Sequence, residues 1–314
     1  MKAPDLDWLL SGDPVLSALV KRDLMGDTSQ MPAILTDRRI KEMVRDIADW
    51  PWPPCVSHKS AGHPIHKFAF LADIGLELEG TKAGDLAWKV QNGMDDGLPR
   101  ITVNIPEHYG GTGRPTMGWS LCDAPLLLHS LAQCFPGMDL APGMSRLNDL
   151  ARENGMPCAV SLELGRFRGP GRKDDPCPIA CLYALKAARA IEPGKNERLA
   201  RTISASLLDL WSSSRERHPY MFFMGTDFRK LKLPFVWYDV LSVTDALSEC
   251  PWVLDDARFR DMLSVIGSKQ DPEGRYTPES VWTAWKGWDF TQKKEPSRWV
   301  TFAVERIHRR VGRG

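Results

Sequence analysis

Apolar positions along this chain fall into two kinds of run. In the first kind they go nearly all the way round a helix and begin near a proline, over residues 14–25, 64–76, 119–135, 176–191 and 234–250. Proline suits a first helical turn, where its missing N–H would have no partner anyway. In the second kind the apolar positions form one stripe. Residues 37–50 place Ile40, Met43, Val44 and Ile47 together. Residues 196–211 do the same with Leu199, Ile203, Leu207 and Leu210, and residues 255–269 with Phe259, Met262, Leu263 and Ile266. These read as surface helices with one buried face. Residues 81–92 and 146–154 are less regular members of this second set.

The two kinds alternate, and the all-apolar members recur in steps of about 50 to 58 residues, a spacing typical of helical repeats. A further helix over 296–311 is the sixth. The pattern predicts an all-α fold in one domain, 1–314: an α/α toroid, with an inner helical barrel wrapped by outer helices. An open solenoid would need capped ends and would bury its inner helices less completely. Links from inner to outer helices are short (75–80, 191–196), and links back are long (93–118, 155–175, 213–233, 270–295). Long ordered loops usually serve function. The working face is therefore expected at the N-terminal ends of the inner helices, where free N–H groups suit anions.

Composition removes several alternatives. A chain of 314 residues with 43% hydrophobic and 26% charged residues folds into a core. Lys+Arg 41 against Asp+Glu 40 gives a net charge of +1, which argues against a dedicated nucleic-acid binder but leaves room for a local basic patch. Apolar runs are too short to span a bilayer. The opening MKAPDLDWLL lacks an apolar signal region, so no signal peptide is expected. Seven cysteines, an odd number with no CxxC pair, predict reduced thiols and a cytoplasmic location.

The segments GWSLCDAPLLLHSLAQC (118–134), DDPCPIACLYALKAA (174–188) and PFVWYDVLSVTDALS (234–248) resemble the helix starts of the superfamily of terpenoid cyclases and protein prenyltransferases. HPYMFFMGTDFRKLKLPFVWYD (218–239) and GRYTPESVWTAWKGWDF (274–290) resemble bacterial members of prenyltransferase-like or squalene-cyclase-like type. The resemblance implies the toroid and an apolar, isoprenoid-type substrate. Its protonating cyclases use a D-x-D-D motif, whereas this chain has only the doublets Asp95–Asp96, Asp174–Asp175 and Asp255–Asp256. QW-type repeats are also missing. Its protein prenyltransferases hold zinc through Asp-x-Cys and a downstream His, and pair with a helical partner subunit. Asp175 and Cys177 match the first element. Asp239 stands where the His would be, so the resemblance implies zinc held by Asp175, Cys177 and Asp239. The alternative is that Asp174 or Asp175 caps the helix at Pro176 and Cys177 simply packs.

The expected rim carries basic loops, with Arg166, Arg168, Arg172 and Lys173 in one and His218, Arg229, Lys230 and Lys232 in the next. They could grip a diphosphate or carboxylate, or pair with Asp174, Asp175 and Asp227 to order the loops. Tyr220, Phe222, Phe223, Phe228, Phe235, Trp237, Tyr238, Trp282, Trp285 and Trp288 either line a cavity or plug it. His58, His63 and His66 could be ligands, an acid/base group or loop anchors. GGTG (110–113) and GPG (169–171) follow no strand of a βαβ unit and carry no dinucleotide reading.

The function expected is that of an enzyme taking a small apolar or amphiphilic ligand with an anionic end. Asp239 and Asp227 are its expected catalytic carboxylates, and Arg172, His218, Arg229, Lys230, Trp237 and Tyr238 its substrate-binding residues. A polysaccharide lyase or glycosidase, and a non-catalytic binding scaffold, are the alternatives.

Overall fold

A computed structural model describes residues 2, 4–169, 171–217, 219, 222 and 224–312. The chain is largely helical. Its α-helices are α1 (Leu6–Leu10), α2 (Pro14–Val20, continued by a π-helical turn over Lys21–Met25), α3 (Arg38–Ala48), α4 (Pro64–Asp73), α5 (Leu86–Asn92), α6 (Ala124–Cys134), α7 (Ala141–Leu150), α8 (Pro178–Ala190), α9 (Glu197–Ser212), α10 (Val240–Leu247), α11 (Ala257–Gly267) and α12 (Arg298–Val311). One antiparallel hairpin, β1 (Ile101–Asn104) with β2 (Pro115–Gly118), corrects the all-helical expectation; Ile101 pairs with Gly118 and Asn104 with Pro115. β1 alternates, with Ile101 and Val103 buried and Thr102 and Asn104 half-buried, whereas β2 does not.

The two sets of helices differ in burial as their patterns require. All eight residues of α10 are buried, and so are nine of the eleven in α6. In α11 only Phe259, Met262 and Ile266 are buried, one stripe on a solvated helix. The sixth apolar member departs from the expectation: α12 buries Trp299 to Val304 and Ile307, and its last turn carries His308, Arg309 and Arg310.

The chain divides into two compact units, Met43–Phe223 and Met1–Glu42 joined with Met224–Gly314. In the first, α4 packs on α6, α6 on α8, and α8 on both α7 and α9. Leu71, Leu127, Leu131 and Leu185 are fully buried in this stack. It also holds a polar tie. Asp73, at the end of α4, accepts hydrogen bonds from His129 Nε2 of α6 at 3.2 Å and from Lys186 Nζ of α8 at 2.5 Å. Burial acts to raise the Asp73 pKa, but Lys186 and His129 outweigh it and hold the carboxyl well below the ordinary range.

In the second unit α12 packs on α1, α2 and α10, and α10 on α11. Asp13 caps α2 through the N–H groups of Val15 and Leu16, and it accepts from Trp299 Nε1 at 2.7 Å. Asp245 of α10 pairs with Arg306 and Arg310 of α12, both at 3.0 Å. Trp285, Trp288, Phe290 and Trp299 pack against one another, with Trp288 stacked on Phe290 at 5.6 Å and edge-on to Trp299 at 5.2 Å. Here the tryptophans are core filling.

Candidate functional site

Asp239 is the focal residue of the second unit. Pro234 leads to the expectation of a helix from 234, but α10 starts at Val240 because Asp239 caps it. Asp239 Oδ1 accepts from the Ser242 N–H at 2.9 Å, and the Asp239 N–H donates to Ser242 Oγ at 3.2 Å. This reciprocal box satisfies two donors at the helix start. The other carboxylate oxygen, Oδ2, is buried and has no hydrogen-bond partner. Burial is the main reason that the Asp239 pKa rises to about 6; the charge of Lys232 and the Ser242 hydrogen bonds oppose the rise.

Lys232 is only 6% exposed. Its ammonium sits 5.0 Å from the ring centroid of Trp282, and among the described residues it makes no ion pair. The two come together because the chain around 231 and 279 is doubly bonded: the Leu231 N–H donates to Glu279 Oε2 at 2.8 Å, and the Glu279 N–H to the Leu231 carbonyl at 2.9 Å. The indole Nε1 of Trp282 is also buried without a partner. The aromatic neighbours are Tyr238 and Phe228, with ring centroids 5.1 Å apart. An unpartnered buried acceptor, a buried ammonium and an unpartnered indole donor thus belong to one stretch of this unit. Each is costly unless something meets it.

The other expected residues are placed differently. Asp227 is exposed and pairs with Lys230 at 3.3 Å. Arg172 is exposed, while Arg229 and Trp237 are half-buried. His218, Tyr220 and Phe223 lie outside the described residues. A cleft of about 550 Å³ beside the start of α2 is lined by residues such as Leu10, Pro14, Lys21 and Asp37, and by none of the expected site residues.

The zinc expectation is overturned. Among the described residues no group of three or more His, Cys, Asp or Glu side chains could hold a metal ion. Asp175 is ion-paired with Arg217, and the Cys177 thiol is buried near those of Cys122 and Cys158. Asp239 belongs to the other unit, where it caps α10. Each side chain meets a local need instead of a shared ion.

The first unit holds an acid/base arrangement that the chain's spacing does not reveal. Asp123, fully buried at the start of α6, accepts from Ser120 Oγ at 2.6 Å and from the Ser120 N–H at 3.1 Å. His58 Nε2 lies 3.1 Å from Asp123 Oδ2, with the side chain 23% exposed. His63 and His66 serve the loop. His63 bonds the Pro53 carbonyl at 2.9 Å, and His66 bonds the His58 carbonyl at 2.8 Å. Burial pushes the His66 pKa down to about 3, so its ring is neutral. Ser120 and Asp123 could be read as a turn before α6, but no sequence signal ties His58 to them across 65 residues.

No helix among the described residues is long and apolar enough to cross a membrane. No family model, curated protein or solved structure matches this chain, so the likeness to the toroid superfamily rests on the quoted segments alone.

Proposed function

We propose that this protein is an enzyme that takes an apolar or amphiphilic ligand with an anionic end, with Asp239 as its proton-transfer group. One observation carries the reading: a fully buried carboxylate with an unpartnered oxygen and a pKa raised to about 6, under the influence of a buried lysine. Such a group gives and takes protons at working pH. Lys232 and the Trp282 N–H supply the anion grip, and Phe228, Tyr238 and Trp282 an apolar wall. The proposed fold is the α/α toroid. The packing order α10, α12, α2 within one unit and α4, α6, α8 within the other supports it, since a closed ring would use the same order.

Native mass spectrometry with farnesyl diphosphate tests the reading, with a long-chain fatty acid as a second anionic probe. Wild type and Asp239→Asn should both retain a ligand and Lys232→Met should lose it, whereas turnover should be lost in Asp239→Asn. Equal retention in all three variants would count against the grip.

A second reading has its own support in the pair His58–Asp123. An imidazole oriented by a buried carboxylate is the general-base half of many hydrolytic and eliminating enzymes. It fits the polysaccharide-active alternative. Incubation with a uronic-acid polymer, following the ultraviolet absorbance of an unsaturated product, separates the two: loss of that signal in His58→Ala but not in Asp239→Asn would favour this second site.

A further inference from the structure

Three of the seven cysteines meet in the first unit, although 36 and 19 residues separate them in sequence. The backbone explains the meeting. Beyond β2 the chain pairs with residues 159–161: the Leu121 N–H donates to the Ala159 carbonyl at 3.0 Å, and the Ser161 N–H to the Trp119 carbonyl at 2.8 Å. This brings Cys122 beside Cys158. The Cys177 N–H donates to the Met156 carbonyl at 2.7 Å, which draws the start of α8 to the same place. Cys177 is buried, and its thiol lies close enough to feel both of the others, which are partly exposed. All three are free thiols.

The surroundings distinguish them. Cys158 Sγ accepts the Gly169 N–H at 3.2 Å and feels the positive charge of Arg168. Both stabilise a thiolate there, although the bond to Cys177 and burial still keep the thiol pKa high. Oxidation at this position is slow to start, but its resolution is governed by geometry, because the backbone bond from Cys177 to Met156 already draws the second thiol to the same place.

The geometry points to an oxidant-sensitive site in which peroxide converts Cys158 and Cys177 into a disulfide, with Cys122 as a third, exchanging thiol. In the first step the Cys158 sulfur attacks a peroxide oxygen. The O–O bond breaks, a sulfenic acid forms and one water leaves with the thiol proton. In the second step the Cys177 sulfur attacks the sulfenic sulfur. The S–O bond breaks, the S–S bond forms, and the hydroxyl leaves with the Cys177 proton as a second water. Two thiols are oxidised and one peroxide is reduced to two waters. Attack by Cys122 on this disulfide moves the bond to Cys122–Cys177 and frees Cys158. The first disulfide would tie off residues 159–176, the loop that carries Arg166, Arg168, Arg172 and Lys173.

The test is peptide mapping of the purified chain after mild hydrogen peroxide treatment, with the remaining thiols alkylated under denaturing conditions. Cys177 is expected in a disulfide with Cys158, or with Cys122 after longer incubation, while Cys55, Cys134, Cys181 and Cys250 remain alkylated. Cys158→Ser should slow the appearance of any Cys177 disulfide. Cys177→Ser should abolish that disulfide and leave oxidised Cys158 to be resolved by Cys122 or carried on to sulfinic acid. A Cys177 that stays fully alkylated while Cys122 or Cys158 is oxidised overturns the inference. So does a disulfide that links other cysteines. The wild-type map decides the matter even if a variant folds poorly.

Discussion

An aspartate that holds its proton to about pH 6 leaves a trace in stability. An unfolded chain releases that proton near pH 4. Between those values the folded state binds more protons than the unfolded one, so stability falls as pH rises. A shift of about two pH units corresponds to about 3 kcal/mol, lost in full above pH 6. Asparagine caps a helix as well as aspartate does and cannot ionise. Asp239→Asn should therefore be at least as stable as wild type at pH 7, and its denaturation midpoint should be flatter between pH 4 and 6. Urea titrations at several pH values check this. A loss of several kcal/mol at pH 7 would mark Asp239 instead as half of a stabilising ion pair. Lys232→Met removes the positive charge that opposes burial, so the Asp239 carboxyl should titrate above its wild-type value, as followed by carboxyl carbon NMR.

The stack of α4, α6 and α8 is held by apolar packing and by one shared carboxylate, Asp73. Lys186→Met takes the nearest cation from that largely buried carboxylate, and breaking a buried pair in this way costs about 3 to 5 kcal/mol. Thermal or urea unfolding should register that loss near neutral pH. In wild type the tie needs an ionised Asp73, whose pKa is held low, so its contribution is present above the unfolded value near pH 4 and fades as the pH falls below it. Elements of this kind were legible in advance, since helices apolar all round must be buried and helices with one stripe must face water. Their ends were less so. Pro234 is a strong start signal, yet the chain stays irregular, with the Val236 N–H turned back on the Pro234 carbonyl, until the Asp239–Ser242 box closes. In the hairpin, ITVN alternates over four residues only and its partner PTMG does not alternate, so the signal is short and one-sided. The candidate site divides along the same line. Asp239 stood out as an acid in an apolar run, whereas Ser120–Asp123–His58 and the three thiols depend on contacts between distant segments.

For the whole molecule, the repeat spacing gave the order of the helices but not the division into units. The boundary falls inside α3, between Glu42 and Met43, and again after Phe223. One unit is continuous in sequence and the other is assembled from two separated stretches. A fragment of residues 37–223, which keeps α3 intact, should unfold cooperatively when followed by near-ultraviolet circular dichroism. Residues 1–42 alone should show no such transition, because α2 lacks α12. The discontinuity also sets a timetable. Trp8 accepts through its carbonyl from Arg298 Nε at 2.9 Å, a partner made 290 residues later. At ribosomal rates of about 5 to 20 residues per second that wait is on the order of tens of seconds. The continuous unit can condense as it emerges, while the first two helices wait for α12, the helix they pack against.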